Sequence, residues 1–234
     1  MIKLKTIFTA LTFGSIMAFA GCSASTSEEL ELPTTPQQQA DATPDSILKQ
    51  LMDGNARFVA GERTAIDIEK SRTATTAGQY PLAYVLSCVD SRVPVEVVFD
   101  QGIGDIFVGR VAGNYETTGQ LGSMEFATAA AGSKLIMVLG HESCGAIKGC
   151  IDEVKLGNLT TLLAELEPAV EAVDGEPDVK NTAYLNKVIE ANVRQTVADL
   201  RSRSDVLAGL EKEGKIKIVG GVYSLHTGKV TLLD

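Results

Sequence analysis

The sequence predicts an α/β domain: a mostly parallel β-sheet of about four strands plus an edge strand, flanked by helices. Three observations carry this. Apolar runs at 82–87, 105–111, 135–139 and 215–222 have the length and continuous hydrophobicity of strands buried on both faces. Segments with helical spacing separate them, as the crossovers of a parallel sheet require. A turn over 226–229 leads into a last short run, 229–233, suited to an antiparallel edge.

Taken in order, residues 1–21 have the layout of an export signal, with Lys3 and Lys5 ahead of an uncharged apolar stretch over 7–20. That stretch is short for a membrane span. Ala18-Phe19-Ala20 fits simple cleavage, whereas Phe19-Ala20-Gly21-Cys22 resembles a bacterial lipobox and makes Cys22 a diacylated terminus. Residues 22–44, rich in Ser, Thr, Pro, Gln and Glu, read as a flexible linker, lipid-anchored or free. Such a tether directly after Cys22 favours the lipoprotein. The expected location is therefore the periplasm, or a membrane-anchored position facing outside the cytoplasm.

The folded domain is expected over 45–234. Asp45 or Ser46 caps a helix bearing Ile47, Leu48, Leu51 and Met52 at helical spacing. Asp53-Gly54-Asn55 interrupts that helix, 56–59 resume it, and 61–79 give no regular element. Further helices are expected at 95–99, 121–131 (closed by Gly132), 145–155, 159–173, 184–200 and 206–213. Asp174-Gly175-Glu176-Pro177 separates the last two from those before.

Composition narrows the function. Of 234 residues, 44% are hydrophobic and 22% charged, a globular balance. The formal charge of −9 argues against nucleic acid or an anionic membrane surface as partner, leaving the anchor at Cys22 as the one membrane link. Only two histidines exist, His141 and His226, and His226 falls in the predicted turn, where exposure without a role is the plainer reading.

Two apolar runs end in polar groups that a core strand has no reason to carry. The first delivers Ser87-Cys88-Val89-Asp90-Ser91-Arg92, the second His141-Glu142-Ser143-Cys144-Gly145. Alternate residues of an extended segment face one side, so Cys88 and Asp90 can converge. His141 and Cys144 are three apart where a strand opens into a helix. Thiolate and imidazole favour zinc. The set is Cys88, His141 and Cys144 with either Asp90 or a water in fourth place. If Arg92 forms a bidentate pair with Asp90, the fourth position opens; if Asp90 ligates, the site closes. The plain alternative is two buried cysteines beside a core histidine. Cys150 reads as a small buried residue, with a disulfide to Cys144 in metal-free, oxidised protein as the competing reading.

At these residues the chain resembles the β-class carbonic anhydrases. The resemblance runs through Cys88-Val89-Asp90-Ser91-Arg92-Val93-Pro94, Phe99-Asp100-Gln101-Gly102-Ile103-Gly104-Asp105, Arg110-Val111-Ala112-Gly113-Asn114, Leu121-Gly122-Ser123-Met124-Glu125-Phe126-Ala127 and His141-Glu142-Ser143-Cys144-Gly145-Ala146. Gly54-Asn55-Ala56-Arg57-Phe58, Gly221-Val222-Tyr223 and Thr227-Gly228 extend it over about 46–233. It implies one zinc per subunit, held by Cys88, His141 and Cys144, with Asp90 and Arg92 as catalytic dyad. It implies reversible hydration of CO2 to bicarbonate and a proton by zinc-bound hydroxide. Gln79, Phe107 and Ala112 are the implied substrate-binding residues; many members carry a larger aliphatic group at the position of Ala112. The family forms homodimers or homotetramers with sites at the dimer interface. Two other functions remain open at this level: a COS or CS2 hydrolase on the same metal set, and a non-catalytic zinc-binding module. The Asp90–Arg92 pair argues against the module, since a purely structural zinc has no use for a switchable carboxylate.

Overall fold

The computed structural model describes residues 31–233. The expectations for the signal over 1–21, for Cys22 and for the start of the linker lie outside the described residues. Among the described residues no helix is long and apolar enough to cross a membrane.

Five strands form one sheet: β1 (Ala83–Ser87), β2 (Ile106–Arg110), β3 (Leu135–His141), β4 (Lys217–Tyr223) and β5 (Val230–Leu233). Their order is β2-β1-β3-β4-β5, with the first four parallel and β5 antiparallel to β4. The predicted architecture is therefore found, antiparallel edge included. Register decides the position of the site: Ser87 pairs with Arg110 and Leu139, and His141 with Tyr223. Cys88 and His141 thus arrive together at the C-terminal edge of adjacent strands. That edge is where open parallel sheets bind ligands.

Successive residues of β1 enter different cores, because side chains alternate across a strand. Ala83 and Val85 pack with Leu135, Met137 and Leu139 beneath α2 (Pro44–Ala60). Tyr84 and Leu86 pack with Ile136 and Val138 beneath α5 (Thr118–Glu125), α9 (Thr182–Arg203) and α10 (Asp205–Lys212). A third cluster caps the C-terminal edge and unites Cys88, Cys144 and Cys150 with Ile147, Leu166 and Val188. It is built by α6 (Gly145–Ile151), α7 (Gly157–Ala164), α8 (Glu167–Glu171) and α9.

Four expectations are corrected. First, residues 31–44 are not a free linker. α1 (Pro36–Asp41) lies against the domain, and Thr34 donates from its backbone N and its hydroxyl to Asp105, both at 2.7 Å. Gln39 Nε2 donates to the Pro81 and Ala131 carbonyls, and Lys134 Nζ to those of Ala40 and Ala42. Polar composition gave no hint of this docking, because these contacts are hydrogen bonds to main-chain carbonyls and to the Asp105 carboxylate rather than apolar burial. Second, α2 is unbroken through Asp53-Gly54-Asn55, and its cap is Thr43 in a capping box with Ser46. Gly54 is a close approach, not an interruption: a Cβ there would lie 2.0 Å from the Phe99 carbonyl oxygen. Third, the irregular stretch contains α3 (Ile68–Ala74), capped by Asp67. Fourth, the helix expected at 159–173 is two, α7 and α8, because Pro168 lacks the N–H a helix interior needs and sits in the first turn of α8 instead. The short helix α4 (Val95–Val98) falls within its predicted range, and α5 runs on as a π-helical turn, Phe126–Ala130, before Gly132 at φ +83°.

Candidate metal centre

β1 and β3 end side by side, and each places a ligand-type side chain at its last turn. Cys88 follows β1, His141 is the final residue of β3, and Cys144 stands at the start of α6. A left-handed Ser143, φ +54°, turns the chain so that Cys144 faces back toward His141. The two Sγ atoms and an imidazole nitrogen lie within 4.8 Å of one another, and all three residues are buried.

The histidine indicates what the cluster accepts. Its Nδ1 lies 2.9 Å from the Glu142 carbonyl oxygen, which only accepts, so Nδ1 carries the proton. Nε2 is left as a bare lone pair, fully buried, with no protein partner. Burying an unpaired acceptor is costly unless something else satisfies it. The two thiols pose the matching problem. Hydrogen bonding from Cys144, then from the Gly113 N–H, pulls the Cys88 thiol below its ordinary value against the opposing effect of burial. The Cys144 thiol is pushed up by its hydrogen bond to Cys88 and by burial. A divalent, borderline-soft ion satisfies both sulfurs and the bare nitrogen together, and the donor set fits zinc. Such a set leaves one position of a tetrahedron free.

Asp90 stands just outside. Arg92 grips it in a bidentate pair, Nε to Oδ1 at 2.9 Å and Nη2 to Oδ2 at 2.7 Å, and the Arg92 backbone N–H adds a third bond to Oδ1 at 3.0 Å. The Arg92 side chain therefore holds the carboxyl well below the usual carboxylate range, although partial burial works the other way. Oδ2 still reaches to 3.8 Å from His141 Nε2, so the ionised carboxylate borders the metal locus without joining the cluster.

The implied substrate residues divide. Ala112 shares a peptide with Gly113, whose N–H donates to Cys88 Sγ at 3.4 Å, so its main chain borders the site. Phe107 does not: it stacks between Tyr84 and Phe126, with centroids 6.5 and 6.1 Å away, alongside the neighbouring core. Gln79 is exposed ahead of the N-terminal end of β1, whereas Cys88 follows its C-terminal end. Neither reaches the cluster of its own chain. Cys150 is a free, buried thiol beside Leu163 and Leu166. His226 is exposed as expected, yet its Nδ1 pairs with Glu142 Oε2 at 2.9 Å, and that carboxylate also takes the Ser224 hydroxyl and Leu225 N–H.

Sequence reasoning assigned no role to two residues that shape the site. Arg110 ties down the main chain between ligand and dyad, with Nε on the Cys88 carbonyl at 2.8 Å and Nη2 on that of Asp90 at 2.5 Å. Asn192, buried on α9, donates to the Gly113 carbonyl at 2.8 Å. Its signal was available: a polar residue one turn beyond Val188, within an apolar stripe.

Comparison with known proteins gives a consistent picture. The family model described as carbonic anhydrase matches residues 83–230. A protein named carbonic anhydrase from Mycolicibacterium smegmatis is 40% identical over 197 residues, covering 82% of this chain and 94% of that one. Among solved structures, the β-carbonic anhydrase CcaA superposes with a TM-score of 0.62 at 24% identity, covering 81% of this chain and 96% of that chain. A tetrameric β-carbonic anhydrase of Sordaria macrospora superposes with a TM-score of 0.60 at 21% identity, over 69% of this chain and 85% of that chain.

Proposed function

The chain belongs to the β-class carbonic anhydrase family, and on that premise we propose that Asp90 and Arg92 are the catalytic dyad of a zinc enzyme hydrating CO2. The overall reaction takes CO2 and water to bicarbonate and a proton, reversibly. Cys88, His141 and Cys144 hold the metal, one per subunit. Bound there, zinc supplies the Lewis acidity that makes water a nucleophile near neutral pH.

The chain's own residues do the rest. Arg92 keeps Asp90 ionised and away from the ligand set. The carboxylate can then only accept hydrogen bonds. It would accept a hydrogen bond from the attacking O–H, without removing the proton, and so leave an oxygen lone pair aimed at the carbon. A carboxylate held so far below its usual range is a poor proton store, so the released proton passes to external buffer. Ala112 contributes a small apolar wall at the site's edge. The observation that carries this reading is the bare His141 Nε2, buried against two thiols, with an ionised carboxylate 3.8 Å away and restrained by Arg92. Stopped-flow hydration of CO2 by zinc-loaded protein at about pH 7–8.5, the range in which such a water is activated, tests it. Activity that Asp90→Asn removes while zinc stays bound supports the dyad. A zinc-replete protein that hydrolyses COS or CS2, or does nothing, while leaving CO2 untouched overturns the assignment.

The finer expectations stand as part of the same proposal. Edge strand β2 leaves Ile106, Phe107 and Val108 half-exposed, and Phe126 beside them is 57% exposed. An open groove of about 480 Å³ there, walled by Tyr84, Phe107 and Phe126, suits a second copy of the chain. A homodimer or homotetramer, with Gln79 and Phe107 serving a site other than their own chain's, follows from that face. Sedimentation showing a monomer active at working concentration overturns it. Export with a lipid anchor at Cys22 rests on the sequence pattern at 18–22; mass spectrometry of the membrane fraction for a diacylated Cys22 peptide tests it.

A further inference from the structure

The loop after β2 reaches the metal cluster through a single glycine, and that glycine is held from behind. Gly113 donates its N–H to Cys88 Sγ at 3.4 Å and accepts Asn192 Nδ2 on its carbonyl at 2.8 Å. The two bonds lie on adjacent peptide planes that share the Gly113 Cα, so fixing one plane restricts the other. Gly113 sits at φ +81°, where side chains are strained, and a Cβ would fall 2.7 Å from Leu166 Cδ1. Close packing and an Asn114 N–H bond to the Val111 carbonyl at 3.0 Å complete the turn. Asn192 itself is 3% exposed on a face of α9 otherwise lined by Val188, Ile189 and Val193. A buried amide in that setting is costly to keep unless its bond matters.

We propose that Asn192 is a positioning residue for the metal centre, setting through Gly113 the N–H that donates to the Cys88 thiolate; this rests on the zinc reading above. An amide hydrogen bond stabilises the thiolate and fixes where the Cys88 sulfur stands, so its loss leaves the sulfur freer to swing away from the metal. Partners of ligands, as distinct from ligands, commonly change metal affinity or activity by about 10–100-fold. Asn192→Leu keeps the branched heavy-atom outline and removes the bond. Thr196→Val, buried one turn further along the same helix face, changes a polar group of α9 that makes no link to the cluster and serves as the control.

The test uses the full-length protein loaded with zinc and, separately, with cobalt(II). Expected for Asn192→Leu are a shifted thiolate-to-cobalt charge-transfer band and zinc release to a chelator about 10–100-fold faster, with Thr196→Val unchanged in both. If Asn192→Leu does not fold, Asn192→Ser, smaller and still polar, is read for the same band. A normal band and normal zinc release in a folded Asn192 variant overturn the proposal, whatever its melting temperature. Wild-type protein that takes up neither metal refutes the zinc reading instead, and the two failures are distinct.

Discussion

The two ends of the sheet bury polar groups in opposite ways. At the N-terminal end, Asp100 and Asp105 are buried and answered. Asp100 receives Arg57 Nε at 2.7 Å, the Thr64 N–H and hydroxyl, and Arg63 at 3.4 Å. Asp105 receives Thr34 twice and the Gly102 N–H. At the C-terminal end the groups are buried and unanswered. Of the four buried side-chain polar atoms without a partner among the described residues, Ser87 Oγ, Asn114 Nδ2 and His141 Nε2 lie there; Ser71 Oγ lies elsewhere. Satisfied burial stabilises a fold, whereas unsatisfied burial of ligand-type groups marks a place where something else binds. The strands lie between the two ends, so each change below is expected to act mainly on one of them.

The largest effect is at the unanswered end. Cys88→Ser removes one of the two thiolates, and bound zinc and CO2 hydration are both expected to fall to background, while the described fold persists. Metal content by elemental analysis and stopped-flow rates check it. A serine variant retaining full activity breaks the comparison at its root.

Next comes the answered end. Asp100→Ala takes away the buried carboxylate that Arg57, Arg63 and Thr64 share; the arginines left behind are 38% and 39% exposed, so the loss is that of hydrogen bonds to a charged group, about 1.5–3 kcal/mol. Chemical denaturation reads that loss, and the zinc content of the folded fraction stays at one per chain. The same residue gives a pH dependence. Burial opposes ionisation of Asp100, but the Thr64 N–H, Arg57 and the Thr64 hydroxyl outweigh it and hold the carboxyl below its ordinary value. Its stabilisation is therefore complete above the unfolded-state value near 4 and is lost as pH falls through the lower folded value. Wild-type stability should drop in that acid window, and Asp100→Asn should flatten the drop.

Arg92→Ala sharpens the comparison at the metal end by freeing Asp90 without touching a ligand. Oδ2 already lies 3.8 Å from His141 Nε2, so the released carboxylate can reach the locus and close the free position. Zinc is retained and CO2 hydration falls by about 10–100-fold, the range for loss of a group that orients a ligand-site partner. Equal loss of zinc and rate in this variant removes the distinction between Arg92 and Cys88.

The contrast between the ends also explains what the sequence exposes. Cys88, His141 and Cys144 were legible because polar groups interrupt apolar strand ends, a local anomaly. The strands were legible from their continuous hydrophobicity. Asn55 was hidden by Gly54: the pair reads as a helix breaker, yet the glycine admits the Phe99 carbonyl and the asparagine binds Val98, Gly228 and Val230. Those partners are up to 175 residues away in sequence, and no local pattern encodes them. The positions of Gln79 and Phe107, away from their own metal cluster, likewise depend on how strands are ordered rather than on what they contain.

The smallest effect concerns the segment that composition misjudged. Gln39 Nε2 uses both of its hydrogens, on the Pro81 and Ala131 carbonyls at 2.9 Å each, and so joins α1 to the entries of β1 and β3. Each such bond is worth about 0.5–1.5 kcal/mol net, so Gln39→Ala is expected to lower stability by roughly one to two such increments. Lys134 and Thr34 still hold the segment, which keeps the loss from growing into detachment. Activity and zinc content should not move, because the site lies past the other ends of these strands. A melting curve beside a CO2 hydration assay separates the outcomes. Lower stability with unchanged rate fits two independent ends. A lower rate at unchanged stability means that the docked segment acts on the metal end, and the division of the sheet into a structural and a functional edge fails.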